Sequence, residues 1–263
     1  MSGRYGMGGV ARVALRGTIV GALVFGGLAV KLILRAAEAP LFGPARPVTP
    51  YLTQAVCRAA LWLMGFGFVV QGKPMQQHGL VVANHASWLD IFALNAAQRV
   101  YFVSKSEVAA WPAIGWLARA TGTLFITRKT AHAKRQQLDF ESRLRAGHRL
   151  LFFPEGTSTD STFTLPFKPT LFAALYAEGM GDVWVQPASV IYTAPAGAPT
   201  NFYGWWGDMD FAPHLIATLA AKGQGRIEVI LHPPLRVADY AGRKQLAAAC
   251  EAVVRAGLSQ TFE

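Results

Sequence analysis

Between residues 66 and 256, short β-branched and aromatic runs alternate with helix-like segments, and this alternation restricts the fold more than any other property of the chain. Strand-like runs occupy 66–70, 80–83, 100–103, 124–127, 150–153, 183–185 and 227–231, with helix-like segments at 130–147, 171–177 and 239–256. Strands fed by helices pair side by side in one direction, so the expected class is α/β, a largely parallel sheet flanked by helices. With 52% hydrophobic residues, 263 residues supply ample core for one such domain.

The chain ahead of that pattern reads differently. Residues 17–34 are apolar except for Lys31, and a helix of that length nearly matches the hydrocarbon thickness of a bilayer. Arg4, Arg12 and Arg16 precede it with no acid, and Lys31 could snorkel from a helix lying flat. Ala37-Glu38-Ala39 before Pro40 offers a rival reading as a signal-peptide cleavage site. An uncleaved anchor is the reading adopted. Gly6-Met7-Gly8-Gly9 is expected to be a disordered tip. Three prolines and a glycine break residues 41–50 into a linker, and Leu52, Val56, Ala59, Ala60 and Leu63 recur as one face of an amphipathic helix. The expected organisation is tip and anchor over 1–40, linker and amphipathic helix over 41–71, and a catalytic domain over 72–263.

A net charge of +10 favours an anionic partner. A mean hydropathy of +0.27 selects a phospholipid membrane over nucleic acid, whose binders spend surface on interleaved cations and polar groups. Cys57 and Cys250 are far apart, and His78, His132, His148, His214 and His232 share no ligand spacing, so neither a disulfide framework nor a metal is expected.

The chemistry concentrates after the run 80–83, which reads as a buried strand. Ser87 with Asp90 three residues on reads as a capping box opening a helix at Trp88, which leaves His85 on the strand-to-helix turn. Ligands of open α/β sheets gather at that end of the strands. An imidazole titrates near neutrality and can take the proton of an attacking hydroxyl, while a carboxylate on its other nitrogen fixes the tautomer and stabilises the imidazolium. Asp90 is placed to be that carboxylate. No G-x-S-x-G elbow presents a serine, so the acceptor hydroxyl itself is expected to attack.

Four blocks recur in order: Asn84-His85-x4-Asp90, Gly122-Thr-Leu-Phe-Ile-Thr-Arg128, Phe153-Pro-Glu-Gly-Thr157 and Val185-Gln-Pro-Ala-Ser189. Between them stand Phe102-Val-Ser-Lys-Ser-Glu107, Trp111-Pro112 and Phe167-Lys168-Pro169. In these blocks, from about Gly72 to Pro233, the chain resembles the glycerolipid acyltransferases typified by bacterial 1-acylglycerol-3-phosphate acyltransferases. The resemblance implies a glycerol-3-phosphate acyltransferase-like domain, His85 as general base with Asp90 as its partner, and Arg128 on the acceptor's phosphate. It also places Glu155, Gly156, Thr157 and Lys168 around the acceptor, with Pro187 in a packing role. Acyl-acyl carrier protein or acyl-coenzyme A is implied as cosubstrate, with no cofactor, on the cytosolic face of the membrane. Many phosphatidate-forming members carry Arg directly after Glu-Gly-Thr, where this chain has Ser158. The leading expectation is therefore acylation of lysophosphatidate, with lyso-ornithine lipid as the alternative acceptor and a non-catalytic lipid-binding protein as the alternative of another class.

Overall fold

A computed structural model describes residues 2–111, 114–127, 133–177, 180 and 182–259. Eight strands form one sheet: β1 (Gly67–Gly72), β2 (Gly79–Ala83), β3 (Tyr101–Lys105), β4 (Leu124–Ile126), β5 (Leu150–Phe152), β6 (Trp184–Thr193), β7 (Arg226–Leu231) and β8 (Leu235–Arg236). Their order is β1-β7-β6-β2-β5-β3-β4, with β8 on β6; only the β6–β7 and β6–β8 pairs are antiparallel. The expected α/β class is what the chain adopts. Its central strand β2 is an unbroken apolar run, buried at all five positions between β5 and β6. β1 precedes the expected domain start at residue 72, yet it pairs with β7 in the same sheet.

The helices are α1 (Ser2–Phe42), α2 (Thr49–Met64), α3 (Leu89–Ala97), α4 (Ile114–Thr121), α5 (Ala133–Arg145), α6 (Phe211–Ala220) and α7 (Arg243–Ser259). Residues 171–177, expected as a helix, fall largely in the tighter 3₁₀ element Pro169–Tyr176, and the start of the expected helix at 130 lies outside the described residues. One core packs α1, α2, α3 and α6 on one face of the sheet; the other packs α5, α7 and the 3₁₀ element on the opposite face.

Three expectations about the N-terminal part are corrected. Gly8 and Gly9 lie within α1, which departs from helical backbone only at Gly6 (φ 60°), so the start is helical rather than a disordered tip. Lys31 does not snorkel: it is buried and its ammonium donates to Thr53 Oγ1 on α2. The face of α2 that contacts the core carries Cys57, Ala60, Leu61 and Met64, one residue round from the expected stripe. The reason is that α2 has two packing faces. Val56, from the expected stripe, meets α1 where Gly27 leaves room; a Cβ at Gly27 would stand 2.7 Å from Val56 Cγ2.

α1 is fastened at both ends. Arg12 donates to the carbonyl of Ala220 (2.8 Å), and Arg16 donates to those of Leu219 and Ala221 (2.9 and 2.7 Å), covering carbonyls that the end of α6 leaves without helical partners. At the other end Glu38 accepts from the amides of Val48 and Thr49 and from Thr49 Oγ1 at the start of α2. Its outer side, including Leu15, Phe25, Leu32, Ile33 and Leu41, is exposed.

Candidate active site

β2 ends at Ala83 and α3 begins at Leu89, so Asn84 to Trp88 form a turn at the carboxyl end of the central strand. Asn84 anchors it across the sheet: its side chain donates to the carbonyl of Val190 (2.9 Å) and accepts from the amide of the same residue (2.8 Å). The carbonyl of His85 accepts from Thr159 N–H (2.9 Å), and that of Ala86 from Trp205 N–H (2.8 Å). Backbone hydrogen bonds from three distant segments thus hold the turn.

The sequence-predicted pair is formed. His85 Nδ1 lies 2.7 Å from Asp90 Oδ2, and Asp90 is fully buried. The same oxygen accepts from the amides of Ala86 (2.9 Å) and Ser87 (3.0 Å), and Oδ1 accepts from the Tyr192 hydroxyl. Only half of the expected capping box exists. Asp90 accepts from Ser87 N–H, but the Ser87 hydroxyl is buried with no partner among the described residues, because the helix starts one residue later. The Asp90 carboxylate, held by these donors, faces Nδ1 of His85 and leaves Nε2 as the ring nitrogen that it does not engage. Burial and the neighbouring Asp90 carboxylate push the Tyr192 phenol well above its ordinary range, so it remains a donor.

Phe153 stacks on the imidazole at 4.0 Å between centroids and 10° between planes, and fixes its face. Glu155, two residues on, lies beneath the turn that carries His85. It is 0% exposed, with one oxygen accepting from His85 N–H (2.6 Å) and the other from Leu165 N–H (2.7 Å). The expectation that Glu155 contacts acceptor groups is therefore replaced by a brace under the histidine.

Burial pushes the Glu155 carboxyl up to about 7, outweighing the opposing effect of the two amide donors and His85. A carboxyl raised in the folded state binds its proton there first. Its contribution to stability is present below the unfolded value of about 4.5 and is lost as pH rises through about 7. Glu155→Gln stays neutral, so its thermal midpoint should fall less than the parent's between about pH 5 and about pH 8. It should also sit lower at acidic pH, because one of the two amides loses its acceptor. Parallel midpoint curves for the two proteins would remove Glu155 from the pH dependence.

Gly156 adopts φ +73°, and a Cβ there would stand 2.7 Å from Lys168 Nζ. The backbone conformation there calls for glycine, and the Lys168 side chain lies across it. Gly156, Thr157 and Ser158 line, with His85, an open cleft of about 790 Å³. Most of its wall is apolar, including Val103, Ile126, Phe140, Phe152 and Leu171, and its polar residues include Ser104, Lys105, Glu107 and Gln136. Arg128, expected on the acceptor's phosphate, lies outside the described residues, as does Pro112. Trp205 and Trp206 are half-buried in the cleft wall, with Trp111 edge-on to Trp205 at 6.1 Å. Pro187 sits in β6 between the segments paired with β8 and β7, and its carbonyl accepts from His232 N–H (3.0 Å). Sequence reasoning missed Tyr192. It stands 102 residues from Asp90, and no local spacing relates the two.

An acyltransferase family profile matches residues 68–191. A lyso-ornithine lipid O-acyltransferase of Rhodobacter capsulatus is 56% identical over 255 residues, covering 97% of this chain and 92% of that protein. The chain belongs to the acyltransferase family. A 1-acyl-sn-glycerol-3-phosphate acyltransferase of Neisseria gonorrhoeae is 35% identical over 133 residues, 48% of this acyltransferase and 50% of that one. In fold, the acyltransferase superposes on the crystal structure of the 1-acyl-sn-glycerophosphate acyltransferase PlsC from Thermotoga maritima. The TM-score is 0.60 at 20% identity, covering 89% of this chain and 95% of that one.

Proposed function

We propose that this acyltransferase esterifies the hydroxyl of a lysolipid, and that the lysolipid is lyso-ornithine lipid. The observation that carries the acceptor is the 56% identity, over nearly the whole length of both chains, to a protein named for that reaction. Lysophosphatidate, the leading expectation from sequence, has weaker support: likeness to a protein named for it spans about half of each chain. Ser158 also stands where many phosphatidate-forming relatives carry an arginine. An ornithine headgroup offers a carboxylate and an ammonium rather than a phosphate monoester, and the cleft wall carries both a cation, Lys105, and an anion, Glu107.

In the proposed reaction His85 Nε2 takes the proton of the acceptor hydroxyl as its oxygen attacks the carbonyl of the acyl thioester. The buried Asp90 carboxylate stabilises the imidazolium, which returns the proton to the departing thiolate. The apolar cleft holds acyl chain, its volume lying within the roughly 300–1,000 Å³ of small-molecule sites. The donor is acyl-acyl carrier protein or acyl-coenzyme A, used at the cytosolic membrane face. Residues 1–40 act as anchor and α2 as its extension, with residues 72–263 forming the catalytic domain together with β1.

α1 is long and apolar enough to cross a bilayer. Its attachment to α6 near Arg12 and to α2 at Glu38 supports a helix lying along the membrane face, with its exposed apolar side in the lipid.

The test is a purified-enzyme assay with lyso-ornithine lipid and lysophosphatidate, each offered with both donors. Ornithine lipid should form at least about 10-fold faster than phosphatidate, a modest discrimination for a site built around one headgroup. Faster phosphatidate formation would return the acceptor to lysophosphatidate, and no product from any lysolipid would remove the reading.

A further inference from the structure

A second cavity, of about 390 Å³, opens at the other end of the sheet. Tyr101 at the start of β3 and Arg149 just before β5 line it, whereas the cleft at His85 is lined by the later residues Val103 and Phe152 of the same strands. The two openings therefore lie at opposite ends of β3 and β5, and the second does not take the reacting groups.

Its lining is cationic. Arg46, Arg99 and Arg149 line it, and no acid among the described residues does. Arg143 stands behind, donating to His148 Nδ1 (2.6 Å) and to the Gly122 carbonyl (2.8 Å). The aromatic rings position the guanidiniums: Arg99 Cζ lies 4.2 Å from the Tyr51 centroid, and Arg143 and Arg46 lie 4.7 and 5.5 Å from that of Tyr101. Arg46 Nε is buried and has no hydrogen-bond partner among the described residues. Glu38, an acid whose charge reaches Arg46, is occupied by Arg35 and by Val48 and Thr49. Burial together with Arg143 and Arg46 pushes His148 down to about 4, as an uncompensated positive field does. Such a cluster costs free energy unless an anion completes it.

The rim is of the opposite character. Leu41, Phe42, Val48 and Tyr51, at the junction of α1 and α2, are exposed around or beside the opening and continue the apolar outer side of α1. A cationic pocket beneath an apolar rim matches an amphiphile whose anion enters while its chains stay outside. A soluble anion needs no such rim, and an acidic protein surface would not fill a concave pocket. We infer that Arg46, Arg99 and Arg149 bind the phosphate of an anionic bilayer phospholipid, at a site separate from the acyl-transfer cleft.

The test uses the full chain and vesicles of phosphatidylcholine with or without phosphatidylglycerol, with inorganic phosphate as competitor. Arg99→Gln/Arg149→Gln should lose the phosphatidylglycerol-dependent gain in affinity by about 10-fold or more, as expected for two cations in a lipid surface field. Arg243→Gln/Arg255→Gln, which removes the same charge from α7, should retain it. Acyl transfer in neutral detergent should match the parent in the first variant, showing that it is folded and that the cleft is untouched. If that activity is lost, Arg149→Gln alone, which removes none of the ring contacts described above, is read in the same way. Equal losses in both double variants, no phosphatidylglycerol preference in the parent, or competition by millimolar-range inorganic phosphate as strong as by lipid would each overturn the site.

Discussion

His85→Ala should lower the acyl-transfer rate by at least about 10²-fold, the usual contribution of a positioned general base. The loss should fall on kcat rather than KM, because the imidazole acts on a proton in flight and the cleft wall is otherwise intact. Folding should survive. Asp90 would keep the amides of Ala86 and Ser87 and the Tyr192 hydroxyl, so the buried carboxylate is not stranded. Steady-state kinetics with a circular-dichroism melt check both halves, and unchanged turnover would exclude His85 as the base.

Asp90 should separate into two effects that His85 does not show. In Asp90→Asn the amide oxygen can still accept from Ala86, Ser87 and His85, and its NH₂ can donate to Tyr192. Stability should therefore fall by only about 1 kcal/mol, while the rate drops about 10²- to 10⁴-fold for want of a charge facing the imidazolium. Asp90→Ala strands the two amides and the tyrosine hydroxyl in a fully buried site. At about 1–3 kcal/mol for each unmet group, discounted for relaxation, it should cost about 3–5 kcal/mol, much of a small domain's stability. Urea unfolding of the two variants measures the difference. Equal stability losses would mean that the charge, which both variants remove, rather than the hydrogen bonds that Asn retains, carries the contribution of Asp90 to stability.

The parts of this molecule legible in the sequence are those whose causes are local. The run 80–83 reads as a buried strand because its neighbours cover both faces, and His85 with Asp90 is visible because five residues of turn and helix bring them together. Glu155 is conspicuous in its block, but whether it faces the cleft or the backbone of His85 depends on how two strand ends meet. Tyr192 gives no local signal; it reaches Asp90 only because β6 lies beside β2. The displaced packing face of α2 has the same origin, since periodicity shows that a helix has an apolar side but not that two partners divide it.

The way α1 is attached limits how the protein can be handled. Removing residues 1–40 as a detachable tether would uncover the α6 carbonyls that Arg12 and Arg16 cover. It would also strip Val13, Val20 and Leu23 from the core beneath. A version shortened in this way would thus lose part of its own hydrophobic interior. The long apolar helix packs with the rest of the acyltransferase as one body, so substitutions along its inner side will tend to change the stability of the whole.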